Sequence, residues 1–225
     1  MSLPDLDYKF WREMPTELGL GADFIVLDLG AHKFEEGAAV MPCYPRCRWI
    51  AFEPHPLCAA HILKFIRDNP SFSNAILVEK AVGDHVGKTI LYRSGGHPTN
   101  QPDIEWTHSS STRKPKMHLV YHPWITFDEG IEVEMTTLDS YCKDMPKIDF
   151  IKVDVQGAEI DVVRGGQETL KRARFLLCET TDAEIYEGQA NKAHLLAALP
   201  VGWAVKKEFQ YDTLYERNKI PGQNS

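Results

Sequence analysis

The stretch Ile148-Asp-Phe-Ile-Lys-Val-Asp-Val-Gln-Gly-Ala-Glu-Ile-Asp-Val-Val-Arg-Gly-Gly-Gln-Glu-Thr-Leu170 decides the fold. It opens as a run rich in β-branched residues that leads to a carboxylate, Asp154. It then turns over Gln156-Gly157 into a pattern with apolar residues at Ile160, Val163 and Leu170, missing only at Gln167. This is a buried strand running directly into an amphipathic helix. Ligands of an open parallel sheet bind beyond the carboxyl ends of its strands, so Asp154 stands where chemistry is placed.

The same grammar recurs on either side. Strand-like runs at 24–29, 48–53, 75–80, 175–179 and 203–209 alternate with helical candidates at about 5–18, 56–68, 157–171 and 189–198. Near-continuous apolar strands alternating with helices imply an α/β fold, a mostly parallel sheet covered on both faces. The short run at 212–216 reads as an edge strand. A chain of 225 residues suits one such domain. The alternation breaks over 84–137, and 94–130 is a long irregular stretch holding four of nine histidines. We read that stretch as a packed lid or substrate-binding insertion in a single domain spanning 1–225.

Composition excludes several classes. The net charge of -7 opposes a nucleic-acid partner, which needs a basic face. No run approaches the ~20 apolar residues of a membrane span. The first residues lack a secretory core, and five cysteines read as reduced thiols, so a cytoplasmic location is expected. Cys47 and Cys58 bracket a strand, which separates them by roughly 20 Å and rules out a shared zinc. No metal is expected.

Two further strand ends carry acids. Asp28-Leu-Gly-Ala-His ends the first run, and Phe52-Glu-Pro the second. Glycine there allows a ligand close to the backbone, and a carboxylate such as Glu53 accepts two hydrogen bonds from a ribose diol. A dinucleotide would need a glycine-rich phosphate loop. Here the loop reads Gly30-Ala-His-Lys-Phe-Glu-Glu-Gly37, and its glutamates would repel pyrophosphate. S-adenosylmethionine carries no phosphate and brings a sulfonium and an ammonium that acids attract. The charge pattern selects the sulfonium cofactor over a nicotinamide dinucleotide.

With these residues in view, the chain resembles FkbM-type methyltransferases. The resemblance is carried by Asp28-Leu-Gly-Ala-His32, Phe52-Glu-Pro-His-Pro56, Lys80-Ala-Val-Gly-Asp84, Thr137-Leu-Asp-Ser-Tyr141 and the segment 148–170, in order over about 24–180. It implies a Rossmann-like class I methyltransferase fold with seven strands. It further implies methyl transfer from S-adenosyl-L-methionine, usually to a hydroxyl on a sugar, polyketide or similar metabolite. Asp28, Gly30 and Ala31 would meet the amino-acid end of the cofactor, Glu53 the ribose, and Ala81 and Val82 the adenine. The first loop departs from the family's Gly-Ala-Asn-x-Gly, having His32 and a displaced glycine at Gly37.

Asp154 is expected to align or deprotonate the acceptor, with His108 a second candidate base. Ser109, Ser110, Gln156, Glu159 and Glu179 are expected around a small-molecule or glycan acceptor. Gln156 as N-cap would place Glu159 at the reciprocal position of a capping box. The competing readings are a cofactor-binding sensor without activity, suggested by the altered first loop, and a nucleotide-dependent oxidoreductase.

Overall fold

The computed structural model describes residues 6–98 and 105–218. After helix α1 (Tyr8–Glu17), strand β1 (Ile25–Leu29) leads through α2 (Glu35–Val40) to β2 (Arg48–Phe52), α3 (Pro56–Asp68) and β3 (Ala75–Val78). A middle segment carries β4 (Ala81–Val82), β5 (Gly87–Leu91), β6 (Ser94–Gly95), α4 (His118–Tyr121), β7 (Thr126–Phe127), β8 (Ile131–Thr136) and α5 (Leu138–Tyr141). The chain continues through β9 (Ile148–Val153), α6 (Glu159–Arg164), α7 (Gln167–Leu170), β10 (Ala173–Glu179), α8 (Lys192–Ala198), β11 (Trp203–Glu208) and β12 (Asp212–Arg217).

Seven strands form the central sheet in the order β11-β12-β10-β9-β1-β2-β3. β3, β2, β1, β9 and β10 are mutually parallel, while β12 runs antiparallel to β10 and to β11. The 212–216 run is therefore interior, because β12 inserts between β10 and β11, and β11 takes the edge instead. The expected mostly parallel, seven-stranded α/β sheet is otherwise present.

Strand alternation divides the core in two. Leu27, Leu29, Ile151, Val153 and Leu176 pack on one face with α6 and α8, and Val26, Phe150, Phe175 and Leu177 pack on the other with α1 to α3. Complete burial of side chains such as Leu27 and Phe150 contributes about 1.5–3 kcal/mol each. The helix expected over 157–171 is broken at Gly165-Gly166. A Cβ on Gly165 would lie 2.0 Å from the Gly83 carbonyl oxygen, so that backbone contact requires glycine. The Asp139 carboxylate accepts from the N–H groups of Thr169 and Glu168 at 2.7 and 3.1 Å and restarts the helix as α7.

The irregular middle gains a small sheet, β4-β8-β5, and a two-stranded ribbon, β6-β7. Residues 99–104 of the expected insertion lie outside the described residues. Among the described residues, no helix is long and apolar enough to cross a membrane.

Candidate active site

The strand order reverses between β1 and β9, and a crevice opens beyond their carboxyl ends. Its floor is the turn at Gly30, which has φ +84°. A Cβ there would sit 1.9 Å from the Asp154 carbonyl oxygen. The N–H groups of Gly30 and Ala31 both donate to the Phe52 carbonyl, at 3.0 and 3.1 Å. The ends of β1, β2 and β9 are thus locked together. His32 and Phe34 follow with φ of 47° and 72°, conformations that non-glycine residues seldom adopt. The Phe34 ring packs among Trp49, Phe65 and Phe72. A Cβ on Gly37 would fall 2.4 Å from that ring. The glycine displaced to position 37 therefore makes room for the buried phenylalanine that anchors the loop.

A cavity of about 670 Å³, counting its open mouth, lies above this floor. Phe52, Ala81, Val82 and Leu91 give it an apolar end, and Glu53, Asp154 and Gln156 give it polar wall. Glu53 accepts from the N–H groups of His55 and His32 at 2.7 and 2.8 Å. Burial nevertheless pushes its carboxyl up to about 8 against those two bonds.

Thr107, His108 and Ser110 to Thr112 form the roof. An antiparallel bridge joins Ser111 to Tyr92, a second joins Pro115 to Tyr186, and Arg113 pairs with Asp161 at 2.6 Å. His32 reaches up to this roof, with Nε2 2.8 Å from the Thr107 hydroxyl. Its ring lies 3.8 Å from the ring of His108, which in turn contacts Trp106. A second, more open groove of about 630 Å³, lined by His55, Arg93, Glu105 and Asp128, adjoins the cavity across Thr107.

Beneath the floor lies a buried cation. Lys152 Nζ is 3.3 Å from Asp28, 3.2 Å from Glu36 and 3.7 Å from Asp154. Burial works against its charge, but those three carboxylates outweigh it and hold the ammonium charged well above the usual lysine range. Glu36 is pushed up to about 7 by burial, opposed by Lys152 and reinforced by Asp28. A lysine within the otherwise apolar Ile148–Val153 run was the available signal, since a buried ammonium demands carboxylates around it.

The expected site residues divide into two groups. Gly30, Glu53, Ala81, Val82, His108, Ser110, Asp154 and Gln156 line the cavity. Asp28 is instead enclosed, accepting from Trp49 Nε1 at 3.0 Å and paired with Lys152, so it faces the cluster and not the cavity wall. Ala31 is fully buried, and the Ser109 hydroxyl accepts from Trp106 Nε1. Glu159 is not the reciprocal cap: the N-cap is Ala158, and the Glu159 carboxylate accepts from the Gly157 N–H at 2.9 Å. The turn through Gln156, at φ +54°, delays the helix and leaves Glu159 as its first residue. Glu179 meets Gln156. Sequence reading passed over Thr107, Ser111, Lys152 and Tyr186 because their roles come from contacts between distant segments.

The strand order, the reversal at β1/β9 and an acid-walled crevice without a phosphate cradle define the class: a Rossmann-like, S-adenosylmethionine-type methyltransferase. Residues 28–212 match the Methyltransferase FkbM domain, and the chain belongs to that family. It is a methyltransferase. The chain is 36% identical over 181 residues to the 2-O-methyltransferase NoeI of Sinorhizobium fredii (strain NBRC 101917 / NGR234), covering 79% of this chain and 72% of that protein. Among solved structures, methyltransferase FkbM from Methylobacillus flagellatus KT superposes with a TM-score of 0.52 at 15% identity, over 87% of this chain and 44% of that one. TrmN from Thermus thermophilus gives 0.50 at 10% identity, over 93% and 48%. At such identities these two likenesses speak to the fold alone. The chain spans less than half the length of either solved relative.

Family and fold imply S-adenosylmethionine as cofactor, and the residues present fit it. The apolar end suits adenine, Glu53 suits a ribose diol, and Asp154 suits the sulfonium. The nearest helix start, α2, opens on Glu35 and Glu36, which disfavours a pyrophosphate.

Proposed function

We propose that this protein is an S-adenosylmethionine-dependent O-methyltransferase acting on a hydroxyl of a glycan or comparable small metabolite, and that residues 1–225 form one unit with 94–130 as its lid. The observation that carries the reading is Asp154: a half-exposed carboxylate on the cavity wall, held from behind by Lys152 and from the side by Gln156. The 36% identity to a 2-O-methyltransferase supports oxygen as the acceptor atom.

When bound, S-adenosylmethionine supplies an electrophilic methyl group. The chain's own residues do the rest. Gly30 admits the cofactor to the backbone, Glu53 takes the ribose hydroxyls, and Ala81 and Val82 bound the adenine end. Alignment of nucleophile and methyl carbon supplies much of the acceleration in such a displacement. Asp154 takes the proton from the acceptor hydroxyl. Ser110 and the Thr107–Thr112 roof orient the acceptor, whose remaining sugar units extend into the groove lined by Arg93, Glu105 and Asp128. Burial, then the nearby His32, hold His108 down to about 4, so it is a neutral ring in the roof.

The test is calorimetry and thermal shift with S-adenosylhomocysteine and with NAD, followed by transfer of labelled methyl groups to a panel of hydroxylated acceptors. Stabilisation by S-adenosylhomocysteine alone, with label on an acceptor oxygen, is the expected result. Binding without any transfer would favour a sensor.

A further inference from the structure

β10 pairs with β9 in parallel, Cys178 opposite Val153, so the two strand ends carry Glu179 and Asp154 past the sheet side by side. Gln156 ties them together. Its Nε2 donates to Asp154 Oδ1 at 2.8 Å and to Glu179 Oε2 at 2.9 Å. Its Oε1 accepts from the Tyr186 hydroxyl at 3.0 Å, a hydrogen shared with the Ser109 carbonyl at 2.9 Å. Both amide hydrogens are then committed to carboxyl groups and the carbonyl to a donor, which fixes the orientation of the amide. The Ser111 hydroxyl donates to the Gln156 carbonyl at 2.6 Å, pinning the left-handed backbone of the bridge itself.

The two carboxyls have unlike surroundings. Asp154 has the Lys152 ammonium 3.7 Å from Oδ2. Glu179 has acids on several sides: Asp154 at the end of β9, Asp212 opposite it on β12, and Glu159 from α6. Tyr186 faces it from the following segment, and Cys178 precedes it on its own strand. Among the described residues no ion pair reaches Glu179. Two carboxylates that share one donor cannot both ionise cheaply, and the cation decides which one keeps the charge.

We propose that Asp154 and Glu179 form a carboxyl pair sharing one proton, with the proton resident on Glu179 and the negative charge on Asp154. Glu179 is thereby a positioning residue that keeps Asp154 ionised and aimed at the cavity. Its partial burial, followed by the charges of Asp154, Glu159 and Asp212, drives its carboxyl well above the usual range, and it is hydrogen-bonded to Asp154. The proton that leaves an acceptor hydroxyl passes to the Asp154 carboxylate, and Asp154 returns it to water at its exposed edge. Glu179 keeps its own proton throughout. The catalytic consequence rests on the reading of Asp154 as proton acceptor; the location of the resident proton does not.

The experiment has two readouts. Ligand-free protein carrying ¹³C at the glutamate side-chain carboxyls is titrated by NMR, as wild type and as Glu179→Gln. The resonance absent from the variant should carry a protonated carboxyl shift at neutral pH; an ionised shift there overturns the proposal. The pH profile of kcat/KM is then compared. Glutamine replaces a neutral donor by a weaker neutral donor, so the acid limb moves up, by about half a unit. Loss of an ionised neighbour would move it down, and that result also overturns the proposal. If the NMR result holds while Asp154→Asn keeps full turnover, the carboxyl pair is supported and the role of Asp154 as proton acceptor falls on its own.

Discussion

Gly30 and Asp154 touch through their backbones: the missing Cβ of Gly30 would lie 1.9 Å from the Asp154 carbonyl oxygen. The turns that follow β1 and β9 are therefore one mechanical unit. Gly30→Ala should cost about 1–2 kcal/mol from its left-handed backbone alone, with the overlap adding to it. Denaturant unfolding should show a loss larger than that figure, accompanied by weakened S-adenosylhomocysteine binding. Wild-type stability in the variant would disprove the contact.

Lys152→Met removes the cation shared by Asp28, Glu36 and Asp154. Deleting one partner of a buried ionic group typically costs about 3–5 kcal/mol, because the remaining charges are left uncompensated. The midpoint of thermal unfolding should fall steeply at pH 8 and much less at pH 5, where Glu36, raised to about 7, is protonated. An equal loss at both pH values would contradict the ionic account.

Stability without ligand should pass through a maximum in mildly acidic solution. Glu36, Glu159 and Asp212 are raised to about 7 and Glu53 to about 8, each chiefly by burial. The folded state then binds more protons than the unfolded one between the ordinary carboxylate range and 7–8, so their contribution is lost as pH rises through that window. His108 and His118 are lowered to about 4. Their contribution is complete above the ordinary histidine value of 6.5 and lost as pH falls toward 4. Unfolding midpoints scanned across pH should decline on both sides; a monotonic curve would mean that one of the two groups is misassigned.

Cofactor binding should release protons. A cation in the cavity favours the charged form of Glu53, the raised carboxyl that lines it. Calorimetry at about pH 7, repeated in buffers of different ionisation enthalpy, should register release of about half a proton or more. Proton uptake would contradict the placement of positive charge at this wall.

The roof is fastened to the floor by the stack of His32 on His108 and the His32–Thr107 hydrogen bond. His32→Ala should cost about 1 kcal/mol or somewhat more in stability, and raise KM for the acceptor more than it lowers kcat. A pure kcat effect would instead place His32 in the chemistry.

Much of this was legible in the chain. Strand patterning at 148–153 and 25–29, and acids closing successive strands, were enough to bring Glu53 and Asp154 to one crevice, and the sulfonium cofactor that their charge favoured is the one the family implies. What escaped were features fixed by contact between distant segments. Asp28 looked like a ligand because it ends a strand, yet Trp49 and Lys152 turn it inward. The helix at 157–171 looked continuous because periodicity cannot register the approach of Gly83 to Gly165. The six-residue α2 is too short for a periodic signal, and β8, Ile131–Thr136, had its alternation obscured by lying in an otherwise irregular region.

Whether Asp154 faces the reacting atoms is read from single-turnover transfer of labelled methyl in Asp154→Asn, measured alongside its affinity for S-adenosylhomocysteine. Affinity should stay within about threefold of wild type while transfer slows by about 10² or more. Transfer at the wild-type rate with affinity intact would contradict that placement.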